Sequence, residues 1–163
     1  MKNFVLAAAA VAVLTAGTAS AQSNDNFLGV RGELHAGAAD VRNARDVEEL
    51  RYGVTVGVDA PLGDRFTLGV ETEASNVFDN DGRELGVGAR LGYAATDNVL
   101  LYGRAGYVNL DDARRHTLDG LALGAGAEWR LGERTFVSTE YRYTDFNQNV
   151  DSHGVRVGLG VRF

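Results

Sequence analysis

The stretch GVRVGLGVRF, residues 154–163, ends the sequence and has the alternation of a β-strand. Successive side chains of a strand point to opposite faces, so residues two apart share a face. One face of this segment carries arginines and glycines, and the other carries five apolar residues: Val155, Val157, Leu159, Val161 and Phe163. A soluble barrel turns the apolar face to its core, whereas a membrane barrel turns it to lipid. The rest of the sequence decides between the two.

The same period-two pattern occurs in seven further segments, which predicts an all-β, eight-stranded antiparallel up-and-down barrel. Most of the segments have ten or more residues, the length of a tilted membrane-spanning strand. Short turns at 61–64, 95–98 and 132–134 alternate with longer polar connections at 37–48, 76–82, 110–117 and 147–152. Short periplasmic turns and longer outer loops are typical of outer-membrane barrels. The predicted strands are 27–36, 49–60, 65–75, 83–94, 98–109, 118–131, 135–146 and 153–163.

The N-terminus has the features of a cleavable export signal. Lys2 precedes an apolar run from Phe4 to Leu14, and small residues follow up to Ala21. This order of a positive start, a short apolar core and an A-x-A site predicts a signal peptide at 1–21. The mature domain, an outer-membrane barrel, is then expected at 22–163, and no later apolar stretch is long enough for a membrane helix.

Composition narrows the possible partners and the sources of stability. The chain has 16 basic and 22 acidic residues, an acidic balance that argues against nucleic acid as a partner. There is no cysteine, so no disulfide contributes to stability. Every cation after Lys2 is an arginine, which suits bidentate pairing with carboxylates, although codon usage explains the absence of lysine equally well.

Glycine decides which face of the strands points inward. Twelve glycines share the parity of the charged residues, whereas only Gly32 and Gly103 lie on the apolar parity. The interior of an eight-stranded barrel is just wide enough for side chains, so glycines beside long arginines and glutamates fit inside it. The apolar residues then face lipid. The predicted interior charges are Arg31, Glu33, Arg51, Asp59, Glu71, Glu73, Glu84, Arg90, Arg104, Glu128, Arg130, Glu140, Arg142, Arg156 and Arg162.

Aromatic residues fall near the predicted strand ends, where membrane barrels carry aromatic girdles. The expected membrane-interface residues are Tyr52, Phe66, Tyr93, Tyr107, Trp129, Tyr143 and Phe163, with Phe27 also near the periplasmic rim. Three large residues depart from the scheme, because Leu100, Tyr102 and Phe136 share the parity of the charges. Either a bulge or an interior packing layer accounts for them.

With these features the chain resembles the small eight-stranded outer-membrane barrels, namely the outer-membrane protein A transmembrane domain, outer-membrane protein X and opacity-type porin-family surface proteins. The segments LGAGAEWRL and VSTEYRYTDF resemble their penultimate hairpin. The resemblance implies that the barrel assembly machinery reads the last strand through Val157, Leu159, Val161 and Phe163. It also implies a location in the outer membrane of a Gram-negative bacterium, with outer-membrane lipid and lipopolysaccharide as partners.

The interior charges have two interpretations. One is a network of ion pairs that fills and rigidifies the barrel, because unpaired buried charge is costly. The other is a polar path for ions or small solutes. Barrels this narrow are usually filled, which favours the network. Breaking it, for example with Glu128→Ala, is expected to destabilise the protein.

No catalytic or metal site is expected. Ser152, His153 and Asp151 are contiguous, and contiguous residues point apart; no histidine spacing suits a metal. The sequence thus predicts a non-enzymatic protein without cofactors, serving envelope integrity or binding host or other surface ligands through its loops. The alternatives are a narrow porin-like channel and a soluble, lipocalin-like periplasmic barrel, which the glycine pattern and Phe163 argue against.

Overall fold

The last strand pairs with the first, and this pairing closes the sheet into a barrel. The computed structural model describes residues 25–42, 47–78, 83–111, 117–147 and 150–163. Eight antiparallel strands follow one another in chain order, which confirms the predicted fold class. The predicted signal peptide, 1–21, lies outside the described residues. After a 3₁₀ turn at Asp25–Phe27 the strands are β1 (Gly29–Arg42), β2 (Val47–Pro61), β3 (Phe66–Val77), β4 (Arg83–Thr96), β5 (Val99–Asp111), β6 (Thr117–Arg130), β7 (Thr135–Phe146) and β8 (Val150–Arg162).

The two ends of the barrel differ in their connections. Residues 62–65, 97–98 and 131–134 join strands at the end where β1 starts and β8 finishes, which we call the turn end. Residues 43–46, 78–82, 112–116 and 147–149 connect strands at the opposite end, the loop end. No helix within the described ranges is both long and apolar enough to cross a membrane.

Side chains alternate between the barrel interior and its exterior. In β3 the buried positions are Thr67, Gly69, Glu71, Glu73, Ser75 and Val77, and the residues between them are more exposed. Large apolar residues such as Val56, Val70 and Leu123 are about half exposed, although each lies in the middle of a strand. The apolar face therefore points outward, the reverse of the packing in a soluble barrel.

Several strands extend further toward the loop end than the sequence suggested. The ladder of β1 and β2 continues through Ala39 and Glu49 to Val41 and Val47, and β8 already begins at Val150. The expected loop at 37–48 is therefore mostly strand, and the second half of the expected loop at 147–152 is strand as well. The apolar alternation weakens there, but backbone pairing requires no apolar face and so continues beyond it.

The three large residues that departed from the exterior pattern form interior packing. Leu100, Tyr102 and Phe136 are all buried. Leu100 packs with Phe27 and Ala94 in an apolar cluster at the turn end, and the β4–β5 register shifts between Ala94 and Thr96. The interior packing layer therefore accounts for all three residues, because the irregularity lies in β4 and leaves the alternation of Leu100, Tyr102 and Arg104 along β5 intact. The expectation for Phe27 was wrong, because the 3₁₀ turn directs its fully buried ring into the barrel instead of leaving it at the rim.

A second apolar cluster lies inside the loop end of the barrel. Val108, Ala122 and Phe146 are buried there, and Leu110 and Leu118 pack against them. The interior thus has one apolar cluster near each end, and the charged residues lie between and beside these two clusters.

The surroundings of the glycines show how tightly the barrel interior is packed. A Cβ atom added to Gly126 would meet the ring of Tyr102 at 2.6 Å, and one at Gly160 would collide with the ring of Phe136. At the two glycines of the apolar parity, Gly32 and Gly103, nothing lies within 4 Å of an added Cβ. Interior glycines are therefore required by space, whereas these two exterior ones are not.

A matched pair of substitutions tests this difference. Gly126→Val should destabilise the folded barrel by about 1–3 kcal/mol through overpacking. Gly103→Val should change stability by at most about 0.5 kcal/mol or increase it, because valine suits an exposed strand position. Urea unfolding in lipid vesicles, followed by fluorescence of Trp129, measures both effects. Equal losses in the two variants would contradict the assignment of the faces.

Candidate functional site: the charged barrel interior

The structure brings most of the sequence-predicted interior charges together. Seven arginines and seven acids line the lumen: Arg31, Arg51, Arg90, Arg104, Arg142, Arg156 and Arg162 with Glu33, Asp59, Glu71, Glu73, Glu84, Glu128 and Glu140. Arg130 differs from the prediction. It ends β6 at the turn end, where its Nε donates to the backbone oxygen of Gly132 at 2.9 Å. Without Arg130 the predicted set has as many positive as negative formal charges.

At the turn end, two arginines share one aspartate. Arg31 Nε lies 3.0 Å from Asp59 Oδ2, and Arg162 Nη1 lies 2.8 Å from the same oxygen. Arg162 also contacts Glu128 at 2.9 Å through Nη2, and Glu128 contacts Arg90 at 2.7 Å. All five side chains are buried, so each charge relies on these partners in place of water.

Glu73 is the centre of the middle group of charges. Its carboxylate lies 2.8 Å from Arg104, 2.6 Å from Arg142 and 2.9 Å from Arg156. The same three arginines surround Glu140, at 3.4 Å from Arg104 and Arg142 and 3.0 Å from Arg156. Two carboxylates are thus shared among three guanidinium groups, an arrangement that the five N–H donors of arginine make possible.

Further pairs extend this group in both directions. Toward the loop end, Arg142 contacts Glu84 at 3.2 Å, Glu84 contacts Arg51 at 2.7 Å, and Arg51 contacts Glu49 at 2.9 Å. Toward the turn end, Glu71 pairs with Arg31 and lies 2.5 Å from Arg104.

Glu71 therefore joins the turn-end pairs to the middle group. A single connected network runs from the partly exposed Glu49 to the buried Glu128.

Aromatic rings and a backbone carbonyl complete the turn-end part of the network. The guanidinium carbon of Arg90 lies 3.9 Å from the ring centroid of Tyr102, and that of Arg162 lies 5.5 Å from Phe136. Arg162 Nη1 also donates to the backbone oxygen of Phe27 at 2.6 Å. Parity placed Tyr102 and Phe136 inside, but nothing in the sequence indicated that they stack on arginines, or that Phe27 closes this end.

Glu33 and His35 are interior groups with polar neighbours. Glu33 is buried and accepts a hydrogen bond from Ser138, and it has no ion pair among the residues that the structure describes. His35 Nε2 lies 3.1 Å from the Ser75 hydroxyl, and Nδ1 lies 3.4 Å from that of Thr55. Hydroxyl partners at both ring nitrogens suit a neutral imidazole surrounded by arginines.

A cavity of about 50 Å³ opens beside His35 in the loop-end half of the lumen. This volume is enough for a small number of water molecules. Eight of its thirteen lining residues have polar or charged side chains, and the full lining consists of His35, Gly37, Ala38, Ala39, Arg51, Ser75, Glu84, Arg142, Thr144, Ser152, Gly154, Val155 and Arg156.

The contiguous Asp151, Ser152 and His153 do not converge. Ser152 is buried in the interior, whereas Asp151 and His153 point outward and lie 3.3 Å apart. His116 lies outside the described residues. Within the described part of the chain no three histidine, cysteine or acidic side chains form a group that could hold a metal ion.

The expected interface aromatics lie on the exterior. Tyr52, Phe66, Tyr93, Tyr107, Trp129 and Phe163 are between 39 % and 73 % exposed. Tyr143 is half-buried because its ring packs against His153, with 4.9 Å between the centroids. The four residues expected to form the assembly signal also face outward: Val157, Leu159, Val161 and Phe163.

The match to a family model covers almost the whole chain. Residues 9–163 match the model described as the outer membrane protein beta-barrel domain. The chain belongs to this family of outer-membrane barrels. It is therefore an outer-membrane protein, and in outer-membrane barrels in general the short turns face the periplasm and the longer loops face outward.

Curated relatives are named as outer-membrane proteins of Brucella and Rhizobium. A 31 kDa outer-membrane immunogenic protein of Brucella melitensis is 36 % identical over 105 residues, which cover 47 % of this chain and 44 % of that protein. A 22 kDa outer membrane protein of Rhizobium leguminosarum is 30 % identical over 129 residues, covering 68 % of this chain and 59 % of that protein. The chain thus spans roughly half the length of these relatives, and none of their names denotes an enzyme.

Solved structures share the fold at low sequence identity. Neisserial surface protein A aligns with a TM-score of 0.60 and 19 % identity, covering 83 % of this chain and 97 % of that one. The attachment invasion locus protein of Yersinia pestis aligns with the same TM-score and 16 % identity, covering 84 % of this chain and 100 % of that one. These similarities establish the architecture alone.

Removing one carboxylate tests whether the interior charges depend on their partners. Glu128→Ala leaves both Arg90 and Arg162 without that partner in a buried site, so we expect a loss of about 3–5 kcal/mol of unfolding free energy. Glu133→Ala, in the exposed turn between β6 and β7, is the control and should change stability by less than about 0.5 kcal/mol. Urea unfolding in vesicles measures both. A loss for Glu128→Ala no larger than the control's would mean that water reaches this part of the lumen.

Proposed function

We propose that the protein is a non-enzymatic, non-conducting outer-membrane barrel that supports envelope integrity and presents its loop end for interaction with surface ligands. Export through the signal peptide at 1–21 precedes insertion of the mature domain at 22–163. The barrel assembly machinery then recognises the last strand, whose Val157, Leu159, Val161 and Phe163 face outward. Lipid and lipopolysaccharide surround the inserted barrel.

The connected ion-pair network carries this proposal. It extends across the lumen from Glu49 to Glu128 and includes guanidinium groups that each contact two or three carboxylates, such as Arg104. An ion that passes through would have to separate buried ion pairs, and each separated side chain would then carry a charge without its partner. A filled lumen of this kind stiffens the barrel and opposes conduction.

The turn end adds a second barrier. Phe27, Ala94 and Leu100 form an apolar layer in which both large side chains are fully buried. The turn that carries Phe27 is held in place because Arg162 donates to its carbonyl and Asn26 donates to the backbone oxygen of Asp97 at 3.1 Å. Apolar constrictions exclude ions by dewetting, so this layer supports a closed periplasmic mouth.

The surface role is supported by the relatives. The Brucella proteins are named as immunogenic outer-membrane proteins, and exposure at the cell surface is what brings an outer-membrane protein into contact with antibodies. Loops on a rigid scaffold are the usual location of binding function. We therefore assign recognition of host or other surface ligands to the loop end.

The absence of catalysis is supported by the placement of the polar side chains. A nucleophile and its base must lie within hydrogen-bonding reach of each other, and Ser152 and His153 point to opposite sides of the barrel wall. Ser75 does lie 3.1 Å from His35 Nε2, but Nδ1 of that ring lies 3.4 Å from the Thr55 hydroxyl and has no orienting carboxylate among the described residues.

A narrow, porin-like channel is the second candidate. The polar cavity of about 50 Å³ beside His35 favours it, since a water-filled vestibule is the first part of such a channel. The buried ion pairs Arg31–Glu71 and Arg90–Glu128 lie between that cavity and the turn end. The channel would therefore require those pairs to open.

Conductance separates the two candidates. The refolded mature barrel, inserted into a planar lipid bilayer across a series of salt concentrations, should produce no discrete current steps. Insertion is verified by the heat-dependent electrophoretic migration of protein recovered from the same lipid. Steps of constant size that scale with salt would show a continuous water path and would replace the closed-barrel proposal with the channel.

A further inference from the structure

Small residues of β1 and β8 provide the space for the cavity beside His35, in the loop-end half of the lumen. Gly37, Ala39 and Gly154 belong to its lining. A Cβ atom added to Gly37 would collide with the backbone oxygen of Val155, and one added to Gly154 would lie 3.2 Å from the Cβ atom of Ala39. Larger side chains at these positions would therefore fill the cavity or push the two strands apart.

The guanidinium groups that border this cavity are the most accessible cations of the lumen. Three arginines belong to the lining: Arg51, Arg142 and Arg156. Their side chains are between 12 % and 15 % exposed, whereas those of the other lumen arginines are at most 7 % exposed. Small solutes therefore have access to positive groups in this cavity but not to those nearer the turn end.

The carboxylates around the cavity are already engaged by arginines. Among the described lining residues Glu84 is the one carboxylate, and its two oxygens contact Arg51 at 2.7 Å and Arg142 at 3.2 Å. Glu73 and Glu140 of the middle group do not line the cavity. A cation that entered would therefore find no unpaired carboxylate among the described lining residues.

Hydrogen-bond donors of the lining, in contrast, remain available. Arg51 and Arg156 contact carboxylates through Nη1 and Nη2, and Nε of each has no partner among the described residues. Thr144 and Ser152 pair in register, and both are buried cavity residues whose hydroxyls bond to no other side chain in the described part of the chain. Buried donors without an acceptor are costly, so this lining is complementary to a ligand that accepts hydrogen bonds.

We propose that this cavity binds one small monovalent anion, such as chloride, that enters from the loop end. The anion accepts hydrogen bonds from the guanidinium groups of Arg51 and Arg156 and from the hydroxyls of Thr144 and Ser152. Hydrogen bonds from cationic donors to an anion are stronger than those between neutral groups. A volume of about 50 Å³ accommodates one such ion together with a small number of water molecules.

The placement of the charges, not their sum, selects an anion. The ion pairs of the lumen compensate its arginines, but at this cavity three guanidinium groups and a single carboxylate form the described charged lining. Water would have to donate as well as accept hydrogen bonds there, whereas an anion only accepts them. The site goes beyond the proposed function and needs access from the loop end alone, so it is independent of whether the lumen conducts.

The NMR line width of chloride tests the proposal. The refolded mature chain is placed in a detergent with an uncharged headgroup, in dilute sodium chloride with sodium gluconate as the balancing salt. Exchange of chloride with a site on the protein broadens the line, and added sodium bromide should remove this broadening by taking the same site. Ser152→Ala should weaken chloride binding about three- to tenfold, the size expected for one lost hydrogen bond.

Matched variants separate the cavity from the rest of the protein. Ser152→Asp places a carboxylate among the same guanidinium groups and should abolish the broadening that bromide removes. Thr67→Val removes a buried, unpartnered hydroxyl at the turn end, and Arg134→Gln removes an exposed arginine there; both should keep the full broadening. Heat-dependent migration shows that each variant is folded.

Crystals of the refolded chain grown with bromide locate the ion, and anomalous scattering should place one bromide in the cavity. Two results would overturn the assignment. One is chloride broadening that Ser152→Asp retains in full, which would assign it to exposed arginines. The other is an anomalous map without bromide in the cavity, which would mean that the cavity holds water only.

Discussion

The cost of burying charge in a narrow barrel is the constraint on which the rest of this structure depends. Lipid requires an apolar exterior, so the polar side chains of eight strands must share a lumen that is barely wider than the side chains themselves. An ion there has lost most of its water and needs partners of opposite charge. Most of the arginines and acids meet this requirement by sharing partners, as Glu73 does with Arg104, Arg142 and Arg156, whereas Glu33 accepts a hydrogen bond from Ser138. Arginine suits this role better than lysine because its planar fork reaches several carboxylates at once.

Glycine placement follows from the same constraint. Long charged side chains occupy the lumen only if their neighbours are small, and the structure shows this where Gly124 lies against Glu140 and Gly86 against Glu73. A Cβ atom at either position would come within about 3 Å of the glutamate side chain. Glycine weakens a strand in general, but here the loss is offset by room for the ion pairs that keep the interior satisfied.

The sequence predicts the faces of the strands but not the partners within the lumen. Parity depends only on the period of a strand, so it placed Leu100, Tyr102 and Phe136 inside although their chemistry suggested otherwise. Pairing depends on the stagger between strands, which no local pattern encodes: Arg156 and Glu73 are 83 residues apart and lie on strands that are not neighbours. Arg130 shares the parity of the interior charges, but it lies too near the strand end to reach them.

Strand ends were the least predictable part for a related reason. Alternation of apolar residues marks only the part of a strand that faces lipid, whereas the hydrogen-bonded ladder continues beyond it, as in the pairs Ala39 with Glu49 and Asp40 with Glu48. The position of Phe27 could not be predicted either, because Phe27 precedes the first strand and strand alternation does not apply to it. Its position follows from tertiary contacts with Ala94 and Leu100.

A closed barrel with a filled lumen has few surfaces left through which to act. Closure removes every free strand edge, so no partner can add a strand to the sheet. The network from Glu49 to Glu128 occupies the interior, and the turn that carries Phe27 covers the periplasmic mouth. Recognition is then confined to the loop end and to the exterior wall. On that wall the grooves with charged lining residues lie at the two rims, since the middle of each strand presents mostly valine and leucine to lipid. The specificity of such a protein therefore depends on the side chains of its rims and of its loop end.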